Sequence, residues 1–150
     1  MAEGYPRGIC CHEAGHAVVA WLLGLNVTSV RIVFSKESGW HGGTDRAGSD
    51  DHLRLIDRAA VWAAGYVAEI VFDCPAHETA GRFDLGQIAT LFKDQGILEQ
   101  EHQALRAEAN KCAEVILETH KDKVSKLIER LVERGSVDRP EFLDLMQAVA

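Results

Sequence analysis

Apolar positions recur at helical spacing near the start of the chain. Ile9, Ala14, Ala17, Val18, Trp21 and Leu22 fall three or four residues apart and predict a helix. Pro6 suits its first turn, where a missing N–H costs nothing, and Gly24 suits its end. The pattern then changes. "NVTSVRIVF" is rich in β-branched residues, partly alternates, and predicts a strand. The glycines of "SKESGWHGGTDRAGSD" mark turns around a short second strand near Trp40 to Thr44. A second long helix follows, with Ser49, Asp50 or Asp51 as its cap and apolar positions at Ile56, Ala59, Ala60, Ala63, Val67 and Ile70 or Val71. Its alanines allow another helix to approach closely, and Pro75 marks its end.

"PAHETAGRF" reads as a loop, and helical spacing resumes from Asp84 to about Phe92. Gly96 punctuates the chain. A long amphipathic stretch runs from Ile97 to Val132, broken near His120 to Asp122. Gly135 and Ser136 predict a turn, Asp138 a cap, and Pro140 the start of a last short helix reaching Val149. The expected fold is mainly α: one compact helical domain over residues 1–150, with a small β element after the first helix.

Composition narrows the function classes. Hydrophobic residues make up 47% and charged residues 26%, ordinary for a globular chain. The net charge is −7, and basic residues alternate with acids, as in "ETHKDKVSKLIERLVERG". This excludes an extended nucleic-acid surface, which needs clustered cations. The longest apolar run, Ala17 to Leu25, is too short to cross a bilayer and has no features of a signal peptide, so no membrane segment is expected. Cys10, Cys11, Cys74 and Cys112 form no C-x-x-C pair, which favours a reduced, cytoplasmic setting and a packing role for Cys10 and Cys11. Oligomeric state has no signal in the sequence.

The candidate chemistry lies in "CHEAGH", residues 11–16. On a helix, positions i and i+4 share a face, so His12 and His16 can aim two imidazoles at one point. Zn2+ accepts neutral imidazole nitrogen, and its catalytic sites use three protein ligands with one position left to water. Glu13 projects beside the pair, placed to take a proton from that water and later pass it to a leaving amine. Gly15 gives room for close packing behind the site. The third ligand is open among Glu69, Asp84, His41, His52, His77, Glu78 and His102, and spacing alone does not choose. A metzincin-type extension is excluded, because Val19 and Leu22 stand where its glycine and histidine would be. His41 could reach the site as an oxyanion partner, but a solvated loop histidine is favoured. His52, His77, His102 and His120 are expected to be exposed, and Trp21, Trp40 and Trp62 to anchor the core or its boundary.

Three segments, in order, resemble the peptidase domain of the FtsH-type ATP-dependent zinc metalloproteases. "HEAGHAVVAWLLG" resembles that family's zinc helix. "VWAAGYVAEIVFD" is similar to its helix with a Gly-Gly-Arg start and an Ala-Glu-Glu core. "TAGRFDLGQIATLF" resembles its Thr-Gly-Ala…Asn-Asp-Leu segment. The closing "ERGSVDRPEFLDLM" is similar to its last turn and helix. The resemblance implies a zincin-like helical fold, Zn2+ held by His12, His16 and Asp84, and Glu13 as catalytic base. It matches Glu69 to the second glutamate of the core, where it would orient a ligand histidine or serve as the alternative ligand. It also implies a protein or peptide substrate, paired against an edge strand supplied here by "GWHGGT", and a separate ATPase subunit for delivery.

The departures bear on substrate handling. The chain carries no ATPase module and no membrane helix. Ala63, Ala64 and Gly65 replace Gly-Gly-Arg, Ala68 replaces the first core glutamate, Phe83 replaces the asparagine, and Gly86 reads as an insertion. The rival reading is a non-catalytic zinc-binding or interaction module. Intact Glu13 argues against it, since a purely structural site has no use for a base.

Overall fold

The computed structural model describes residues 4–76 and 78–147, the side chains of residues 78–80 excepted. It is mainly helical, with one small sheet. In chain order come α1 (Arg7–Leu22), β1 (Asn26–Ser35), β2 (Gly39–Ala47), α2 (Leu55–Val71), α3 (Glu78–Asp94), α4 (His102–Thr119), α5 (Lys121–Arg134), β3 (Ser136–Asp138) and α6 (Arg139–Gln147). A single 3-10 turn at Glu99–Glu101 precedes α4.

The central element is α1. Every residue from Ile9 to Ala20 is buried, so this helix has no solvent face. Helix α2 covers one side, α5 packs against another, and β1 and β2 lie over a third. It ends as its sequence predicts. Gly24 adopts φ +93°, and its N–H and that of Leu25 reach back to the Trp21 and Ala20 carbonyls.

Small residues make the α1–α2 contact tight. A Cβ on Gly15 would lie 2.5 Å from both the Ala64 carbonyl oxygen and the Ala68 Cβ. The alanines of α2 at 59, 60, 63, 64 and 68 are buried against this face. Val71 is the half-buried member of the pair left open at that helix's end, while Ile70 is exposed.

The sheet has the order β2-β1-β3 and is antiparallel throughout. Val27, Val30 and Ile32 of β1 are buried. Their partners in register are Arg46, Thr44 and Gly42 of β2, which therefore share the face turned to α1. A bulge between Val27 and Ser29 adjusts the register. β2 is the free edge on the side of α1 that carries "HEAGH".

Several boundaries differ from the sequence expectation. α3 begins at Glu78, six residues before Asp84, so much of "PAHETAGRF" is helical despite its loop-like composition. β2 is longer than Trp40 to Thr44. Ser136–Asp138 is a strand rather than only a turn, because Val137 pairs with Val30 on the outer edge of β1. α2 starts at Leu55 after Arg54, with no side-chain cap from residues 49–51. The break near His120 is present, between α4 and α5. Asp138 caps as expected, its carboxylate accepting the Glu141 N–H at 3.1 Å. α6 is described to Gln147, and the expected end at Val149 lies outside the described residues. Among the described residues, no helix is long and apolar enough to cross a membrane.

The α1–α2 contact sets a stability test. Gly15→Ala should lower stability by about 1–3 kcal/mol, because the helices must part. Gly86→Ala on α3, where a Cβ meets open space, should leave it unchanged or raise it. Thermal melting followed by circular dichroism separates the two.

Candidate metal centre

Three side chains from two distant parts of the chain meet beside α1. His12 Nε2 and His16 Nε2 stand 2.8 Å and 2.9 Å from Asp84 Oδ2, and 3.1 Å from each other. All three residues are buried. Their ligand atoms form the His, Cys, Asp and Glu cluster among the described residues that could hold a metal ion. α1 supplies both histidines from one face, and the early α3 turn carries Asp84 across to them.

The second ring nitrogens fix what the first can do. His16 Nδ1 lies 2.7 Å from the Val61 carbonyl oxygen, and His12 Nδ1 lies 2.6 Å from Glu69 Oε2. Both partners only accept, so both Nδ1 atoms carry hydrogen. Neutral rings then present Nε2 lone pairs to one another and to a carboxylate oxygen. Three acceptors within about 3 Å repel unless a cation sits among them. Tetrahedral zinc with ligand bonds of about 2.0–2.2 Å holds its ligands roughly 3.3–3.6 Å apart, so small side-chain shifts would admit it here. The donor set therefore fits a divalent metal.

In the absence of a metal, protons must serve. Burial alone would pull the His12 imidazole down, but hydrogen bonds to Asp84 and Glu69 outweigh it and push it up to about 9. Burial would raise the Asp84 carboxyl, and the two histidines outweigh that and hold it below its ordinary value.

Glu69 occupies the far side of His12. Its Oε2 takes the Nδ1 hydrogen while its Oε1 accepts the Ala76 N–H at 2.8 Å. It stands outside the three-residue cluster, on the opposite nitrogen of His12. Gly65 is equally constrained, since a Cβ there would lie 2.4 Å from His12 Nε2. This glycine belongs to the altered Gly-Gly-Arg start.

Glu13 points to the open side of the cluster. It is buried, yet belongs to the wall of a cleft of about 380 Å³ together with His12, His16, Asp84, Trp62 and Phe83. Thr44 on β2 donates to Glu13 Oε1 at 3.2 Å, and the same hydroxyl lies 3.3 Å from the Glu13 carbonyl. A Cβ on Gly42 would lie 2.4 Å from Glu13 Cγ, so β2 approaches this side chain as closely as glycine permits. Thr44, Gly42, Gly65 and the Val61 carbonyl were not singled out in the sequence. The glycines were the available signal.

The remaining candidates stay apart from the cluster. His41 lies at the cleft rim, exposed, in register with Val33 and so on the face turned away from Glu13. His52 is exposed as expected. His102 and His120 are half-buried, contrary to expectation, and the His102 ring packs edge-on to Phe92 at 5.2 Å. His77 and the Glu78 side chain lie outside the described residues. Trp21 and Trp62 are half-buried anchors against Phe142 and Phe83, whereas Trp40 is exposed and packs on Tyr5 and Phe34. Cys10 and Cys11 are buried and unpaired. Burial pushes the Cys10 thiol up to about 12, so both pack rather than ligate.

The arrangement is that of a metallopeptidase-like centre, and a comparison with protein families points the same way. Residues 8–74, somewhat under half of the chain, match the family model described as Peptidase M50B-like. The match takes in His12, Glu13, His16 and Glu69 and stops before Asp84. It supports a metallopeptidase relationship through a family other than the FtsH type. No curated protein sequence matches the chain.

Two outcomes test the centre. Glu69→Ala should weaken zinc affinity about 10- to 100-fold, and Asp84→Ala by more, measured by competition with a chelating dye. The pH dependence has a definite sign. The His12 value is raised in the folded, metal-free protein, so its stabilisation is complete below about 6.5 and is lost as pH rises through about 9. The metal competes with that proton, so zinc affinity should climb over the same range. Melting temperatures of metal-free protein should fall across this window, and zinc titrations should tighten.

Proposed function

We propose that this chain is a zinc endopeptidase domain acting on flexible or unfolded protein segments. His12, His16 and Asp84 would hold the ion. Bound there, zinc supplies Lewis acidity, polarising a peptide carbonyl and making a water easier to deprotonate. The observation that carries the reading is the placement of Glu13. It adjoins the ligand triad without belonging to it, faces the cleft, and is aimed by Thr44 and Gly42.

The residues divide the work. Glu69 and the Val61 carbonyl keep both Nδ1 hydrogens in place, so both Nε2 lone pairs face inward. Glu13 takes the proton of the attacking water and returns it to the departing amine. The Thr44 hydroxyl fixes the carboxylate for both transfers. β2 offers a free backbone edge along the cleft, on which an extended segment can add as a further strand. Such a site takes chain that is already unfolded.

The finer assignment, a peptidase domain of FtsH type over residues 1–150, rests on the sequence resemblance and is supported by the meeting of Asp84 with the two histidines. The same resemblance motivates a separate ATPase subunit to deliver folded substrates. Four free cysteines support a reducing, cytoplasmic setting.

Glu13→Gln tests the proposal. The variant should keep about one zinc per chain. Cleavage of an unfolded test protein should fall at least about 100-fold. If zinc-loaded wild type and variant both leave that protein intact, the chain is a zinc-binding interaction module instead.

A further inference from the structure

β2 carries a cation that this mechanism does not use. Arg46 lies two residues beyond Thr44 and pairs in register with buried Val27, so it shares the face turned to α1. It lines the same cleft as Glu13, His16 and Val61. It is half-buried, yet among the described residues its guanidinium has no ion pair or hydrogen bond. The nearby acids are engaged elsewhere. Asp45 Oδ2 accepts from Ser29 Oγ and Arg31 Nη2, both at 2.8 Å, on the opposite face of the sheet. Asp50 faces Arg58 at 3.5 Å.

A half-buried arginine in the cleft wall, without a charged partner among the described residues, stands out in a chain of net charge −7. Its planar fork matches a carboxylate. Two strand residues separate it by about 7 Å from Thr44, which holds Glu13. We infer that Arg46 determines specificity by binding a substrate carboxylate about two residues from the scissile bond. This rests on the peptidase reading. Addition antiparallel to β2 brings a side chain from the N-terminal side of that bond to Arg46. Parallel addition brings the C-terminal side, where a free chain terminus would serve.

The test uses zinc-loaded Glu13→Gln protein, which binds without turnover, and tryptophan-free peptides made in pairs. One set exchanges Glu for Gln position by position, and the other exchanges a free C-terminus for an amide. Quenching of Trp40 and Trp62, both in the cleft wall, reports binding. One carboxylate should tighten binding about tenfold, and the set showing it identifies side chain or terminus. Adding Arg46→Gln should abolish the difference, and Arg46→Lys should reduce it. With Glu13 intact, the preference should appear in KM, with kcat little changed.

Persistence of the full preference in Arg46→Gln, with zinc content and circular dichroism unchanged, overturns the inference. If that variant fails to fold, an undiminished preference in Arg46→Lys does the same. Cleavage with no carboxylate preference leaves the peptidase reading standing and removes the role of Arg46. An Arg46-dependent preference in binding, without cleavage by wild type, does the reverse.

Discussion

Two imidazole nitrogens and a carboxylate oxygen are held within 3.1 Å of one another in a buried pocket, and much of the fold around α1 keeps them there. Such a cluster repels itself unless a cation joins it. The folded chain holds the two rings in place through their outer nitrogens. Glu69 and Val61 consume the outer ring nitrogens, Gly65 lets α2 press against His12, and α1 is surrounded on all sides. The preorganisation that makes the cluster costly without a cation is what makes it selective for one.

Different parts of this arrangement were legible in the sequence to different degrees. The histidine pair and Glu13 follow from the period of one helix, so "HEAGH" was enough to place them on one turn. The extent of α1, the hairpin and the break at His120 follow from local patterns too. Asp84 was one of seven open candidates on spacing alone, because its approach depends on how α3 crosses α1. Only the resemblance singled it out. β3 was hidden for the same reason: three residues become a strand only because β1 offers them an edge far away in sequence. The start of α3 was masked by composition, since Pro75 and Gly81 read as loop signals although the helix accommodates Gly81. Arg46 was overlooked because nothing local distinguishes it from the solvated cations around it. Register alone puts it on the inner face.

Glu13 differs from the triad in what surrounds it. The two histidines are held by Nδ1 hydrogens donated to the Glu69 carboxylate and the Val61 carbonyl, and losing either bond would free a ring. Glu13 is held by a single hydroxyl and by close van der Waals contact with the β2 backbone. This lighter restraint suits the role proposed for Glu13, because a carboxylate tied by several charged donors would be a poor base. The close passage of β2 has a second effect. The strand that contacts Glu13 is also an edge of the sheet, so in the proposed function substrate pairing and base alignment would be one mechanical unit.

The peptidase-like match ends at residue 74, while Asp84, the third member of the candidate metal cluster, lies beyond it, and this division has a structural meaning. The matched stretch holds α1, the hairpin and α2, which together carry His12, His16, Glu13, Glu69 and the edge strand β2. What it does not include is the carboxylate of the candidate cluster. Asp84 comes from α3, packed on α2 and set against α4. A metal bound here therefore joins the matched half to the unmatched one. Its binding energy acts on the docking of α3 as well as on the site itself, so holding the metal and completing the fold are parts of one equilibrium.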